Sequence, residues 1–441
     1  MNLINDKKKY ISFNFENIPF VCFLTLIFLM MFAPTIYTEQ KTILLLIIFL
    51  FEFFKILNNK FSISIRTAIL ACILSILGAF SLLYSLNYGN TRISEVLSLY
   101  VLYPTLITFI SNSINKPNNV IIIIKSIFIF TLVINLYQLW YVFHILSIIK
   151  YFYYFPLNLR SSYVDNIFMF FSDNTAQNYF MFPFLISFFI YSLIYKKYLI
   201  NKIFILITIF IQSLTLILVG QRSAYLLVFL TLFFLSLTLL FKYKSKFIFL
   251  IFNLKFLSLS FIFCLIFYFS NFFKYIKIIF DIKMAQNQTN SYSDRFFQIN
   301  RLFEWWKEKP LLGWGLGNSD LNTIRDRGNP WAYESYFVYL IGAIGVIGLL
   351  TYISTFLYLI YNLLNEKNYN TEQYFKEFNI FGKSIAVALL SFMGPCFFNP
   401  YLPKFDMMWI FILPLLLLNQ FGSKLYLNID LRKILFLYKR T

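Results

Sequence analysis

Side chains that can bind anions and move protons are concentrated between residues 283 and 334 of this chain. Five of them could act together: Arg295, Arg301, Arg325, Arg327 and Glu334. A guanidinium group holds a phosphate or carboxylate through a planar pair of donors, and a carboxylate beside a bound hydroxyl can take its proton. Because the sequence on both sides is strongly apolar, this polar island is where a functional site is expected.

Another arginine, Arg222, lies well upstream in the turn Gly220-Gln221-Arg222-Ser223, between two apolar runs. An arginine at a membrane boundary is costly unless it is paired or extends its charge into water. A phosphate or diphosphate ligand would satisfy its planar fork. The sequence leaves both interpretations open, a ligand contact or an arginine that only reaches for solvent.

The stretch 294–307 predicts an amphipathic helix that positions two of these arginines, with Ser293 as its N-cap. At about 100° per residue its apolar side chains share one sector: Phe296, Ile299, Leu302, Phe303 and Trp306. The other side carries Gln298, Arg301 and Glu308. We therefore expect an interfacial helix with its aromatic side toward lipid, and membrane anchoring alone would also explain it.

Asn329-Pro330 has the form of a helix N-cap followed by proline at the first helical position. The predicted helix would carry Glu334 near its start, where the helix dipole favours an ionised carboxylate. Glu334 could then act as a general base. A carboxylate that merely stabilises the dipole or an ion pair is the alternative.

Glycines recur on both sides of this predicted helix start. Gly313-Trp314-Gly315-Leu316-Gly317 permits a tight turn and a close approach of the backbone to a ligand. Further along, Gly342, Gly345 and Gly348 form a face of small residues, which predicts tight helix packing.

The composition requires a membrane to surround these elements. The chain has 441 residues, 59% of them hydrophobic and only 13% charged, whereas a soluble domain carries about 25% charge. The net charge of +19 is spread over the ends of apolar runs, as topology signals are, so we do not expect nucleic acid. Cys22, Cys72, Cys264 and Cys396 form no CxxC pair, and the single histidine, His144, has no metal-ligating neighbour in sequence, so neither a metal nor a cofactor is expected.

The hydropathy pattern predicts an all-α, polytopic membrane helix bundle of about 12 transmembrane helices forming one domain over residues 1–441. The predicted spans are 19–37, 42–57, 67–86, 93–111, 120–146, 177–195, 203–219, 223–241, 247–270, 333–361, 380–397 and 405–420. Lys and Arg favour alternate ends, which predicts that both termini are cytoplasmic. The long loop 271–332, with its interfacial helix, and the shorter loop 147–176 would then face outward.

The order of these motifs and apolar spans along the chain resembles that of the O-antigen ligase and O-antigen polymerase superfamily of bacterial envelopes. The similarity begins with Gly220-Gln221-Arg222-Ser223, followed by a long periplasmic loop that carries Arg295, Arg301 and Pro310-Leu311-Leu312 with the glycine repeat. After the loop comes Glu334-Ser335-Tyr336, which leads into Gly342-x-x-Gly345-x-x-Gly348. Such proteins act on sugars linked to undecaprenyl diphosphate at the periplasmic face of the bacterial inner membrane. The resemblance implies a glycosyltransferase.

The resemblance also implies roles for residues of this chain. Arg222 with Arg295 or Arg301 would bind the diphosphate, and Glu334 would stand where the ligases have a histidine. The remaining candidates for glycan contacts are Trp314, Tyr336, Arg325 and Arg327. The loop contains no histidine, which favours a polymerase of the Wzy type over a ligase.

Three functions therefore stay under consideration. The first is metal-independent polymerisation of undecaprenyl-diphosphate-linked oligosaccharide repeat units into O-antigen or capsular polysaccharide. The second is a ligase that transfers glycan to lipid A-core or protein. The third, a transporter or flippase of lipid-linked sugars, fits less well because the polar residues cluster outside the spans. Expected partners are the lipid-linked oligosaccharide, membrane lipid, a chain-length regulator and a flippase.

Overall fold

The computed structural model of the protein describes most of the chain. The described residues are 17–34, 36–58, 62–89, 92–114, 116–150, 159–164, 167–172, 174–219, 222–242, 291–320, 333, 335–365, 374–398, 401, 404–420 and 424–426. Within them the chain is an all-α membrane protein with two small strand pairs.

Helices account for nearly all the regular structure. In chain order they are α1 (Ile18–Phe32), α2 (Thr38–Leu57), α3 (Ile65–Leu86), α4 (Ile93–Val96), α5 (Tyr103–Ser113), α6 (Pro117–Ile145), α7 (Thr175–Tyr195), α8 (Lys202–Val219), α9 (Arg222–Lys242), α10 (Ser291–Glu308), α11 (Tyr336–Leu364), α12 (Phe375–Phe398) and α13 (Met408–Asn419). A π-helical segment, Leu97–Leu102, joins α4 to α5 without a break.

Helices occupy eleven of the twelve predicted spans, and the twelfth, 247–270, lies outside the described residues. Five described helices are long and apolar enough to cross a membrane: Ile65–Leu86, Pro117–Ile145, Thr175–Tyr195, Tyr336–Leu364 and Lys376–Phe397. The protein is thus a multi-pass membrane protein, while the number twelve stays a prediction. Shorter apolar helices such as α1 and α13 pack among these five.

Two short antiparallel strand pairs were not predicted. β1 (Ser62–Ser64) pairs with β4 (Lys424–Tyr426), which ties the connection between α2 and α3 to the segment after α13. β2 (Leu159–Val164) and β3 (Ile167–Ser172) form a hairpin inside the predicted loop 147–176. Their sequences, Leu-Arg-Ser-Ser-Tyr-Val and Ile-Phe-Met-Phe-Phe-Ser, show no alternation of apolar and polar residues, so the pattern that predicts a strand is absent.

The centre of the bundle is the contact between α7 and α12, which also receives α9. Aromatic side chains fill it: the Phe180 ring meets Trp409 at 5.4 Å and Phe392 at 6.2 Å, both edge to face. Trp409 and Phe180 are fully buried. Because protein interiors are close-packed, buried side chains have little room to rearrange, and this cluster gives the bundle a rigid frame.

Helix α13 packs against both α3 and α5. At the end of α13, the side-chain oxygen of Asn419 accepts a hydrogen bond from the Ser64 amide at 2.7 Å. Its side-chain nitrogen donates a hydrogen bond to the Ser111 carbonyl at 3.0 Å. Before its start, Asp406 pairs with the fully buried Lys41 of α2 at 2.6 Å. Lys41 also donates to the carbonyls of Ala33 and Pro34. The approach to α13 is therefore fixed by the side chain of Lys41, and its last residue is fixed through its own side chain to backbone groups of distant segments.

Candidate functional site

Helix α11 is broken at Gly345, where φ is +64° and ψ is −175°. This combination is accessible essentially to glycine alone. In a continuous helix the amides of Val346 and Ile347 would donate to the carbonyls of Gly342 and Ala343. The break leaves these four peptide groups in need of other partners, and within lipid each unsatisfied group costs several kcal/mol.

The segment Pro310–Gly317, here called the glycine segment, supplies those partners. Val346 and Ile347 donate to the carbonyls of Pro310 and Leu311 at 3.0 and 3.2 Å. In the opposite direction, the amides of Trp314 and Gly315 donate to Gly342 and Ala343 at 3.0 and 2.7 Å. Four hydrogen bonds between segments thus replace two bonds within the helix, and the two sequence motifs form one interlocked unit.

Glycine is required where the two backbones touch. A Cβ on Gly313 would lie 2.4 Å from the carbonyl oxygen of Ala343, and one on Gly345 would lie 2.2 Å from that of Leu311. Gly313, Gly315 and Gly317 all have positive φ, at +71°, +91° and +89°. The glycine repeat was predicted to approach a ligand closely; at Gly313 and Gly315 the structure shows close approach to helices α11 and α3 instead.

Helix α10 begins at Ser291 and packs on α11 through a face that differs from the predicted one. Gln298 and Leu302 are buried, and the indole of Trp305 lies against Gly342. Phe297 is 56% exposed and Phe303 40% exposed. The prediction that Gln298 faces water is wrong, because the buried face is set by contact with α11. An exposed aromatic side remains, as expected for a helix at a membrane boundary.

Trp314 is half-buried and packs against side chains of three other residues. Its ring stacks on Trp305 with centroids 6.1 Å apart and planes 5° apart, while the Lys309 ammonium lies 3.8 Å from its centroid. The centroids of the Tyr88 and Trp314 rings are 5.3 Å apart, in an edge-to-face arrangement. The interaction with Lys309 also lowers the pKa of the Tyr88 hydroxyl. Trp314 therefore packs the glycine segment onto α3 and α10, a role that the prediction of a glycan contact did not include.

Tyr336 opens α11 and is 1% exposed. Its hydroxyl lies 2.8 Å from that of Tyr100 in the π-helical segment. Tyr339, one turn later, accepts the amide of Gly317 at 3.2 Å through its hydroxyl. The predicted glycan contact Tyr336 is thus in the interior, where it joins α11 to the neighbouring helices.

The predicted helix start at Pro330 is wrong. Tyr333 is not helical, and α11 begins at Tyr336 with Ser335 as its N-cap. The Tyr333 hydroxyl accepts a hydrogen bond from the Asp320 amide at 2.9 Å, which ties the approach to α11 to the end of the described segment 291–320. Glu334, Arg325 and Arg327 lie outside the described residues. Ser335 after Glu334 is a good N-cap residue, a signal that the sequence did carry.

Arg301 is half-buried on α10 and engaged with two carboxylates. Its Nη1 lies 2.8 Å from Glu304, and its Nε lies 3.8 Å from Asp320, whose side chain is 10% exposed. Asp320 was not singled out by the sequence analysis, because no motif includes it. An anionic ligand at Arg301 would have to compete with these carboxylates.

For Arg222 and Arg295 the structure describes the backbone only. Arg222 is the first residue of α9, and Arg295 lies in the first turns of α10. An arginine at a helix start adds its charge to the positive end of the helix dipole, an arrangement suited to anions.

The first turns of α9 and α11 both pack against the last turns of α12. A Cβ on Gly394 would lie 2.2 Å from Cδ1 of Leu230 and 3.5 Å from Cδ2 of Leu226, in the first turns of α9 after Arg222. Three residues further along α12, the ring of Phe397 stacks on Phe337 with centroids 4.3 Å apart. The start of α9 and the start of α11 therefore lie at the same end of the bundle, on either side of α12.

Among the described residues, no group of three or more His, Cys, Asp or Glu side chains could hold a metal ion. The chemistry available at this end of the bundle is that of arginines, carboxylates and tyrosines.

The region that carries these features matches a known family. Residues 207–353, about a third of the chain, match the sequence model of the O-antigen ligase family. The matched stretch begins in α8 and ends in α11, so it includes Arg222, α10, the glycine segment and the break at Gly345. No curated protein matches the chain. The family match supports a relationship to the O-antigen ligase and polymerase superfamily, and with it a membrane enzyme of O-antigen processing.

Proposed function

We propose that the protein polymerises oligosaccharide repeat units carried on undecaprenyl diphosphate, at the periplasmic face of the bacterial inner membrane. The observation that carries this proposal is the convergence of the starts of α9 and α11 on the end of α12 within the matched region. It brings the helix that begins with Arg222 to the same end of the bundle as the start of α11, which follows Glu334 in the chain. A cation and a carboxylate there suit a diphosphate leaving group and a sugar hydroxyl.

In the proposed reaction, Arg222 with Arg295 or Arg301 stabilises the negative charge that builds on the departing diphosphate. Glu334 removes the proton from the acceptor hydroxyl, whose oxygen attacks the anomeric carbon of the donor sugar. The carbon–oxygen bond to the diphosphate breaks as the new glycosidic bond forms, so the anomeric configuration inverts. The arginines take the role that a metal ion has in other transferases, and the reaction is metal-independent.

A ligase is the second candidate, favoured by the description of the matched family as O-antigen ligase. Against it, the single histidine of the chain is His144, near the end of α6 and outside the matched region. A ligase would pass the glycan to lipid A-core or protein, whereas a polymerase passes it to another lipid-linked repeat. We further propose that both termini are cytoplasmic and that a flippase and a chain-length regulator act with the protein.

Two substitutions test the site. In a deletion strain complemented with the gene, Arg222→Ala and Glu334→Gln should each abolish long polymer on a glycan gel. The first variant loses the cation that stabilises the departing diphosphate, and the second loses the base that takes the acceptor's proton. Single repeat units should accumulate on the lipid carrier. Immunoblots of the membrane fraction should show normal protein levels.

Matched controls are Arg92→Ala and Glu308→Gln, which remove the same charges elsewhere. Both should leave polymer length unchanged. Wild-type chain lengths with either site variant would contradict the site assignment. Long polymer retained on undecaprenyl diphosphate in the deletion strain would show a ligase instead.

A further inference from the structure

An apolar cavity of about 140 Å³ lies between α3, the π-helical segment, α11 and α13. Leucine is the commonest lining residue, as at Leu74, Leu77 and Leu340, and four tyrosines and Lys404 also line the cavity. Two of these tyrosines, Tyr100 and Tyr336, are joined through their hydroxyls. An engineered apolar cavity of about 150 Å³ stays dry and binds benzene. A cavity of this size and lining therefore accepts one branched, apolar unit of a longer molecule better than it accepts water.

A groove on the lipid-facing surface leads toward this cavity. It runs between α3 and α11, and it shares Leu70 and Thr355 with the cavity lining. Ile69, Ile347 and Leu350 border the groove and are strongly exposed, as side chains that face lipid are. A chain that enters the cavity from the bilayer would pass Leu70 and Thr355, which are 2% and 8% exposed.

The glycine segment forms part of the cavity wall. Leu316, 2% exposed, lines it while its amide donates to Ser81 Oγ of α3 at 2.9 Å. Ile344, directly before the break in α11, lines it as well. The cavity in this form therefore exists only while the glycine segment is docked on the broken helix.

We propose that this cavity binds an isoprenoid unit of the lipid carrier and that its occupancy holds the glycine segment in the docked position. The choice of an isoprenoid rests on the proposed function and on the shared wall, since Leu316 and Tyr336 belong both to the cavity and to the segments beside the candidate site. A ligand that binds only the docked arrangement stabilises it by linkage. The carrier's chain would thereby help to assemble the site that acts on its headgroup.

The test is hydrogen–deuterium exchange of the full chain in phosphatidylcholine nanodiscs, with and without undecaprenyl phosphate. The probe should slow exchange at least tenfold in peptides that contain Trp314, Gly315, Val346 and Ile347. A peptide from α6, which does not line the cavity, should be unchanged. Equal exchange with and without the probe would overturn the proposal, and this includes the case in which phosphatidylcholine alone already gives full protection.

A filled cavity supplies the second measurement. Ala71 lines the cavity and is 3% exposed, so Ala71→Leu places a side chain where the isoprenoid would lie. This variant should show slow exchange without the probe and no response to it. Ala79→Leu, a matched change on the same helix outside the cavity lining, should respond as the wild type does. If Ala71→Leu still responds fully, the proposed binding site is wrong.

These readouts contain no glycosyl transfer. A protein that shows the exchange response but makes no polymer would sink the proposed function and leave the chain-binding site standing. A protein that polymerises but shows no exchange response would overturn the chain-binding site and leave the proposed function standing.

Discussion

Arg301 illustrates how a single residue can serve structure and ligand at once. Its guanidinium spans Glu304 on its own helix and Asp320 beyond the glycine segment. Exposed ion pairs contribute only about 0–1 kcal/mol, so the contact with Glu304 adds little to stability. A planar fork that is already oriented loses less entropy when an anion replaces one of its partners.

We predict that Arg301→Lys lowers polymer formation about ten- to hundredfold, because lysine cannot make a bidentate contact with a phosphate. The measurement is the rate of polymer formation from lipid-linked repeats by purified enzyme. Glu304→Gln removes the ion pair and keeps the arginine, so it should retain near wild-type rates. Equal losses in both variants would show that the ion pair matters and the ligand contact does not.

Residue types were predicted more readily than residue surroundings. The arginines and Glu334 could be selected because charge is rare in this sequence. The sequence did not reveal that Trp314 is enclosed by Trp305 and Lys309, or that Tyr336 faces Tyr100. The Tyr336–Tyr100 contact joins residues 236 positions apart, and the Trp314 contacts depend on how the chain turns after α10, so no local periodicity encodes either.

At the scale of elements, the interlock explains why glycines recur both before and after the start of α11. A segment can replace helical hydrogen bonds only if its backbone comes within about 3 Å of the helix backbone. Side chains at Gly313 or Gly345 would occupy that space. The exchange of hydrogen bonds also fixes α10 relative to α11, and with it the arginines that α10 carries.

Gly345→Ala should break this interlock. The backbone conformation alone costs a non-glycine residue about 1–3 kcal/mol, and the new Cβ would meet Leu311 at 2.2 Å. We expect faster proteolysis within the glycine segment and loss of polymer, measured by limited proteolysis of purified protein and by glycan gel.

Gly89→Ala is the matched control, since Gly89 also has positive φ, +76°, but has open space around its Cβ position. It should have a much smaller effect. Similar proteolysis rates in both variants would show that crowding at the interlock is not what requires glycine.

Periodicity located the helices well, because apolar runs of this length have few alternatives in lipid. It placed α10 within a few residues but assigned the wrong buried face. The 298–302–305 face becomes buried through α11, a partner that the helix sequence does not specify. The break at Gly345 was likewise taken for ordinary small-residue packing, since a glycine face does not distinguish close helices from an interrupted one.

At the scale of the whole molecule, the buried pair between Lys41 and Asp406 joins the beginning of α2 to the approach to α13. We predict that Lys41→Met lowers the free energy of unfolding by about 3–5 kcal/mol, since it leaves a poorly solvated carboxylate without its partner. The midpoint of thermal unfolding in detergent measures the loss.

The double variant K41M/D406L should recover much of this stability, because an apolar pair of similar volume often replaces a buried ion pair without loss. Lys307→Ala, which removes an exposed lysine, should leave the midpoint nearly unchanged. A midpoint for K41M/D406L below that of Lys41→Met would contradict the assignment of the defect to an unpaired charge.

The composition was enough to predict a membrane helix bundle, but it did not predict how the helices are arranged within it. Nothing in the sequence signalled that α12 lies between α9 and α11 or that α13 lies against α3 and α5. Such neighbours are chosen by the shapes of whole helix faces, which a pattern of apolar residues leaves undetermined.

The position of α13 has a consequence for the order of events during biosynthesis. Its two sides are contacted by α3 and α5, and its ends are held through Lys41, Ser64 and Ser111. A ribosome produces those partners hundreds of residues before it produces α13. Until then the early helices lack α13 and the hydrogen bonds and ion pair that its segment contributes. A chaperone that shields polar groups within the membrane would have its greatest effect in that interval.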